Sequence, residues 1–269
     1  MIPLFLLAFG LLLATVGPSA AVAQDAAAGL DALVRASHPW GRFQPGAWKK
    51  VRVRSETLDE NGEVQSASVR ETKTTLTEIT DQYVTLTFEV TIEVAGKRFD
   101  QKPQTVKQGY FGQINGEQAD VESTGTESIE VGGQTIQCRT CRAVVSDDGR
   151  RRITELTMSA DTPPYLLRRR TVSQVAEGRA DYETSVQAIG LAMPYRVMAE
   201  LKTGAFVQTI HRDGGGASIT FEVFCEDIPG GVVAHSSKEL DTEGKVIRRT
   251  ALELVDYGVG PQDVPSGGE

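Results

Sequence analysis

Basic charge is what this chain can least spare: 28 Lys and Arg face 36 Asp and Glu, for a formal net charge of −8. No basic stripe offsets the deficit, which argues against nucleic acid and against anionic headgroups as surface partners. Long apolar runs are as scarce. Beyond the first two dozen residues none approaches the roughly 20 residues that a membrane-spanning helix needs. The dinucleotide and P-loop glycine patterns, the H-E-x-x-H zinc helix and the EF-hand loop are all absent. Histidine occurs only at His38, His211 and His235, and the Ser236-Ser237 pair beside His235 lacks a nucleophile-elbow context. The sequence names no catalytic residue, and a non-enzyme is expected.

Cysteine is the other shortage, with only Cys138, Cys141 and Cys225 in 269 residues. The first two form a C-x-x-C in "IQCRTCRAVV". Zinc needs a tight knuckle between such ligands and a second ligand pair, and neither is present. Haem attachment needs His after the second Cys, where Arg142 stands. Thioredoxin-like exchange needs a helix N-terminus, and no helix signature is present here. On a strand, side chains three apart face opposite sides. The open readings are structural thiols or one cross-strand disulfide from Cys138 or Cys141 to Cys225, with Cys141–Cys225 as the candidate pair; no metal and no cofactor are expected.

What is there begins with "LFLLAFGLLLATV" (4–16), followed by Pro18 and Ala21-Val22-Ala23. This is the layout of a secretory signal peptide over residues 1–23, cleaved after Ala23. No cysteine follows the site, so a lipid anchor is not indicated. The expectation is a periplasmic or extracellular protein of 246 residues without a stable membrane span after cleavage. Residues 24–38 are Ala-rich, with Leu30, Leu33 and Val34 at helical spacing. "HPWGRFQPGAW" (38–48) then gathers both tryptophans, either as a plug over one end of a sheet or as the rim of a ligand mouth.

From Lys49 onward the chain reads as strands. In "YVTLTFEVTIEV" (83–94), Val84, Leu86, Phe88, Val90, Ile92 and Val94 alternate with Thr and Glu, giving one apolar and one wet face. Such alternation belongs to antiparallel sheets. Gly, Asp and Asn turn signals punctuate the rest. A shift of 66 residues lays 147–190 over 213–256 without a gap, matching Asp161 with Asp227 and Pro163 with Pro229. "TLDENGEV" (57–64) resembles "ELDTEGKV" (239–246) in the same way. The basic clusters "GRRRIT" and "LRRRTV" read as edge-strand gatekeeping or, alternatively, as an anion or partner-protein site, with Arg168 and Arg170 on one face.

The segment "IEVGGQTIQCRTCRAVVSDDGRRRITELTMSADTPPYLLRRRTVS" (129–173) resembles the periplasmic lipoprotein-carrier (LolA/LolB-like) superfamily, chiefly through "SADTPPYLLRR". The whole chain resembles an uncharacterised secreted family of planctomycete-type bacteria, through "HPWGRFQPGAW", "PQTVKQGYFG" and "MPYRVMAELKT". The resemblance implies a curved antiparallel half-barrel whose apolar concave face is plugged by short helices or loops. It carries over no ligand or catalytic residue.

The expected fold is therefore all-β with minor α: a large curved antiparallel sheet or incomplete barrel over 49–257, a helix and aromatic segment over 24–48, and a flexible tail over 258–269. Long strands with an apolar face must bury it, and the short helix cannot cover it all. The expected function is a non-catalytic exported binding protein for a lipid or acyl chain. Val84, Leu86, Phe88, Val90 and Ile92 would line the concave face, with Trp40, Phe43 and Trp48 near its mouth. An envelope protein–protein interaction module is the alternative, and an enzyme of unrecognised type the third.

Overall fold

The computed structural model describes residues 20–114, 116–147, 149–175 and 180–260. The apolar run of the signal segment, the Glu177-Gly178 turn and the tail beyond 260 lie outside these residues. Among these residues one helix, α1 (Ala20–Ser37), precedes fourteen strands. These are β1 (Trp48–Leu58), β2 (Val64–Ile79), β3 (Tyr83–Val94), β4 (Lys97–Asp100), β5 (Gln104–Gly109), β6 (Ala119–Val131) and β7 (Gln134–Asp147). The second half holds β8 (Arg150–Met158), β9 (Leu166–Gln174), β10 (Ala180–Val197), β11 (Glu200–Asp213), β12 (Gly216–Phe224), β13 (Val232–Leu240) and β14 (Val246–Gly258).

All fourteen strands form a single antiparallel sheet in the order β4-β3-β2-β1-β14-β13-β12-β11-β10-β9-β8-β7-β6, with β5 also on β3. Every step is a hairpin except β1 against β14, which joins the two ends of the chain in mid-sheet. The sheet curves without closing: β6 pairs only with β7, and β5 only with β3. Register shifts recur, for example at Lys50/Val51, Leu76/Glu78 and Thr157/Met158. Such bulges bend a strand and sharpen its twist, which curls a sheet this wide.

Helix α1 covers the concave, inner face. Leu30, Leu33 and Val34 share one side of it and bury against Cys141, Leu156 and Met158. Ser37 Oγ donates to the Val34 carbonyl at 2.7 Å, and Pro39 ends the helix. The following segment seals one end of the sheet. Trp40 packs on Leu76, Val84 and Leu86, while Gly46 N–H donates to the Leu76 carbonyl and Leu76 N–H to the Ala47 carbonyl, at 2.8 Å each.

The 66-residue shift is visible in three dimensions. β12 and β13 begin and end 66 residues after β8 and β9, and β14 begins 66 after β10. Both corners carry the same backbone pattern: Tyr165 N–H to Thr162 O and Gly231 N–H to Ile228 O, at 2.9 and 2.8 Å. The 59–63 and 241–245 turns also match, Asp59 and Asp241 each accepting two downstream amides at 2.9–3.0 Å.

Two expectations need correction. β9 lies inside the sheet, between β8 and β10, so its arginines cannot guard an edge. On the outer face Arg168 pairs with Glu127 at 2.5 Å and Arg170 with Glu183 at 2.8 Å. The Cys141–Cys225 disulfide is not formed, and all three cysteines are free and buried. Cys141 sits on β7 under α1 and Cys225 just past β12, five strands further along the sheet, in a separate cluster with Val197 and Ile228. Cys138 and Cys141 do face opposite sides: β7 keeps unbroken register with β8 from Arg139 to Cys141, and Cys138 packs in another cluster with Ile136 and Leu191. Both sides are dry because the far part of β10 approaches the β6–β7 turn, bringing Gly132 close to Gly190 and Leu191.

Candidate functional site

A cavity of about 430 Å³ lies on the inner face, between the 37–40 segment and β8–β13. That falls in the range of roughly 300–1,000 Å³ usual for small-molecule sites. Its apolar wall is supplied by Trp40, Phe111, Leu156, Val186, Val207 and Phe224. Arg169, Glu222, Thr154 and Thr209 supply the polar part.

Register explains why charges enter an otherwise apolar wall. Glu222 of β12, His235 of β13, Leu252 of β14, Val53 of β1 and Arg70 of β2 follow one another across neighbouring strands. Arg169 pairs with Leu156, whose side chain faces α1. The next inward row is Thr209, Thr220, Ser237, Thr250, Ser55 and Ser68, a band of hydroxyls. Thr220 Oγ1 donates to Ser237 Oγ at 2.9 Å, and Thr184 Oγ1 meets His211 Nδ1 at 2.8 Å beyond it. Along β12 the inner face is thus graded, apolar at Phe224, charged at Glu222 and hydroxylated at Thr220, with Arg169 in one cross-strand row with Val186, Thr209 and Thr220.

The charged belt is under-bonded. Arg169 Nε and His235 Nε2 are buried without a hydrogen-bond partner among the described residues. Arg169 and Glu222 line the same cavity, yet no ion pair joins them. Burial pushes the Glu222 carboxyl up, against the pull of Lys49 and Arg169. Lys49 is lowered to about 8 by burial, and its Nζ donates to the Gly230 and Val232 carbonyls at 3.0 and 3.2 Å. His38 is lowered to about 4 by burial and then by Arg169. Its Nδ1 accepts the Trp40 N–H at 3.3 Å. Burial also lowers His235, with Arg70 and Lys49 adding to the effect.

Of the residues expected at a ligand site, Trp40 alone lines this cavity. Val84 and Leu86 are sealed at 0% and 3% exposure, with Phe43 and Phe88 packed against their cluster. Val90 and Ile92 lie half-buried further along β3, and Val94 is exposed. Trp48 is not at a mouth. Alternation along β1 places it with Lys50 and Arg52 on the outer face, where Lys73 Nζ lies 4.8 Å from its ring centroid. The concave face is also not uniformly apolar, since strands β9–β14 turn Ser, Thr and charged residues inward where β3 turns Val and Leu.

Burial pushes the thiols up, Cys141 and Cys225 to about 11, away from the nucleophilic thiolate. Thr184, His211 and Asp213 form a short chain, with His211 Nε2 3.5 Å from Asp213. Thr184 and His211 are direct cross-strand partners, so the contact follows from sheet pairing. Among the described residues no group of three or more His, Cys, Asp or Glu side chains is placed to hold a metal. No helix among them is long and apolar enough to cross a membrane.

No family model and no curated protein matches the chain, so the resemblance to a planctomycete-type secreted family has no match in support. Several solved structures show a distant likeness. A DUF1329 family protein from Desulfovibrio piger is 11% identical, with 89% of this chain and 93% of that chain covered and a TM-score of 0.36. A protein with a YmcC-like fold from Bacteroides fragilis is 9% identical, with 80% and 97% covered and a TM-score of 0.32. MucB, in its complex with MucA(peri), is 13% identical, with 88% and 95% covered and a TM-score of 0.20. At these values the likeness carries no inference about activity, ligand or partner.

Proposed function

We propose that the protein is an exported, non-catalytic binding protein of the cell envelope that holds a lipid or acyl chain against its concave face. The carrying observation is the cavity of about 430 Å³ between Trp40 and the sheet, apolar on the side of α1. A hydrocarbon chain placed there would remove apolar wall from water, worth about 25 cal/mol per Å². Export rests on the apolar run and the Ala-x-Ala site of the sequence. The non-catalytic reading rests on buried thiols pushed up by burial and on His38 and His235, both lowered by burial.

Native mass spectrometry of gently purified protein, with extraction and identification of co-purified lipid, is the test. Retention of an acyl-bearing molecule at near one equivalent supports the proposal. Its absence, together with no uptake of fatty acids in solution, overturns it.

A second reading has its own observation. The β10–β11 hairpin exposes Met198 at 54% and Leu201 at 75%. Apolar side chains at a projecting tip suit a protein partner, and that reading leads if no acyl ligand is found.

A further inference from the structure

We infer that the cavity selects an acidic amphiphile, its carboxylate or phosphate headgroup held by Arg169 while its chain lies under Trp40. This rests on the reading of the cavity as an acyl site and adds the chemistry of the headgroup.

The placement of the arginine carries the inference. Arg169 reaches the inner face because alternation along β9 sends Arg168 and Arg170 outward, where each meets a carboxylate. Arg169 meets none: it forms no ion pair among the described residues, and its Nε is buried and unbonded. Buried polar groups are nearly always bonded, and an unpaired guanidinium is costly to keep from water. A planar fork of donors beside an apolar wall matches an oxyacid on a hydrocarbon chain.

The neighbouring charges favour the same sign of ligand. Arg169 and Lys49 both act on Glu222, the one carboxylate of the cavity wall, and Lys49 reaches the wall at Gly230 and Val232. Lys49 already spends donors on the Gly230 and Val232 carbonyls, which leaves Arg169 as the free fork. In the same cross-strand row as Arg169, Thr209 offers a hydroxyl to the headgroup, while Trp40, Phe111 and Phe224 supply apolar wall for the chain.

The experiment compares four probes of equal chain length by calorimetry: dodecanoate, dodecyl phosphate, dodecanol and dodecylamine. The wild-type protein should bind one or both acids at least about tenfold more tightly than the alcohol, as expected of a charge-assisted pair. The stronger of the two acids identifies carboxylate or phosphate. Arg169→Gln should erase that preference and leave dodecanol binding within roughly twofold. Glu222→Gln, in the same wall, should strengthen acid binding, so the two variants move in opposite directions and misfolding cannot mimic both. Equal binding of acid and alcohol by the wild type, or a preference for the amine, overturns the headgroup assignment and leaves the acyl site standing. Binding of none of the four overturns both.

Discussion

Ser159 and Cys225 occupy the same place in two copies of one corner. Each backbone N–H donates at 2.8 Å to the carbonyl six residues on, Ser159 to Tyr165 and Cys225 to Gly231. Each follows a strand that begins 66 residues from its counterpart, and each is buried, at 3% and 1% exposure. We propose that segments 147–190 and 213–256 arose by duplication, since strand bounds, corner bonds and register shifts repeat at one spacing.

That equivalence separates the cysteines. Ser159 Oγ accepts the Asp161 N–H at 3.4 Å, and Asp227 supplies the corresponding amide beside position 225. Cys225→Ser should therefore cost less than about 1 kcal/mol, its hydroxyl having a partner at hand. Cys141→Ser places a hydroxyl among Leu33, Val34, Leu156 and Met158 and should cost about 1–3 kcal/mol. Denaturant midpoints with unchanged slopes would measure both. Equal losses would show that the two corners differ in more than sequence.

His38 should give the fold an acid limit. The unfolded imidazole titrates near 6.5 and the folded one near 4, because burial disfavours its charged form. The unfolded chain takes up the proton first, so this contribution is whole above pH 6.5 and is lost as pH falls towards 4. The full span amounts to roughly 3 kcal/mol at most. His38→Asn should flatten the stability curve between pH 6.5 and 4 relative to wild type. An unchanged difference across that interval would show that the ring is charged in the fold.

Much of the architecture was legible. The alternation of "YVTLTFEVTIEV" gave β3 with the observed bounds, and Leu30, Leu33 and Val34 gave the buried side of α1. The site was not, for a physical reason visible in β12. There "ITFEVF" suggests that Ile219, Phe221 and Val223 turn inward, yet Phe221 is 49% exposed and Glu222 lines the cavity. Register with β13 decides the matter, and register is a long-range property that no window of one strand contains. Arg169 was nearer to hand. If Arg168 and Arg170 share a face, the residue between them must point the other way, into the core.

The second corner also contains a backbone constraint the first relieves differently. Gly231 has φ of 67°, and a Cβ there would come within 1.9 Å of the Phe224 ring. Gly244 has φ of 82° with open space around it. Gly244→Ala should then cost about 1 kcal/mol from conformation alone, whereas Gly231→Ala should cost more than about 2 kcal/mol. Thermal unfolding of the two variants side by side would test this. Equal shifts would mean that Phe224 can move aside, and that the cavity wall it forms is soft.

The two tryptophans provide a direct probe of where a ligand sits. Trp40 is 5% exposed and lines the cavity, while Trp48 lies on the outer face beside Lys73. A brominated fatty acid quenches indole only at near contact, so each residue can be read alone. Trp48→Phe leaves Trp40 as the sole emitter, and its fluorescence should fall on titration with the brominated acid. Trp40→Phe leaves Trp48, whose emission should stay constant while the sheet remains folded by circular dichroism. Loss of the large buried ring should cost a few kcal/mol at most, because phenylalanine keeps an aromatic face against Leu76, Val84 and Leu86. Quenching of Trp48 instead would place the chain on the outer face, across the Lys73 side of the sheet, and would remove the cavity from consideration.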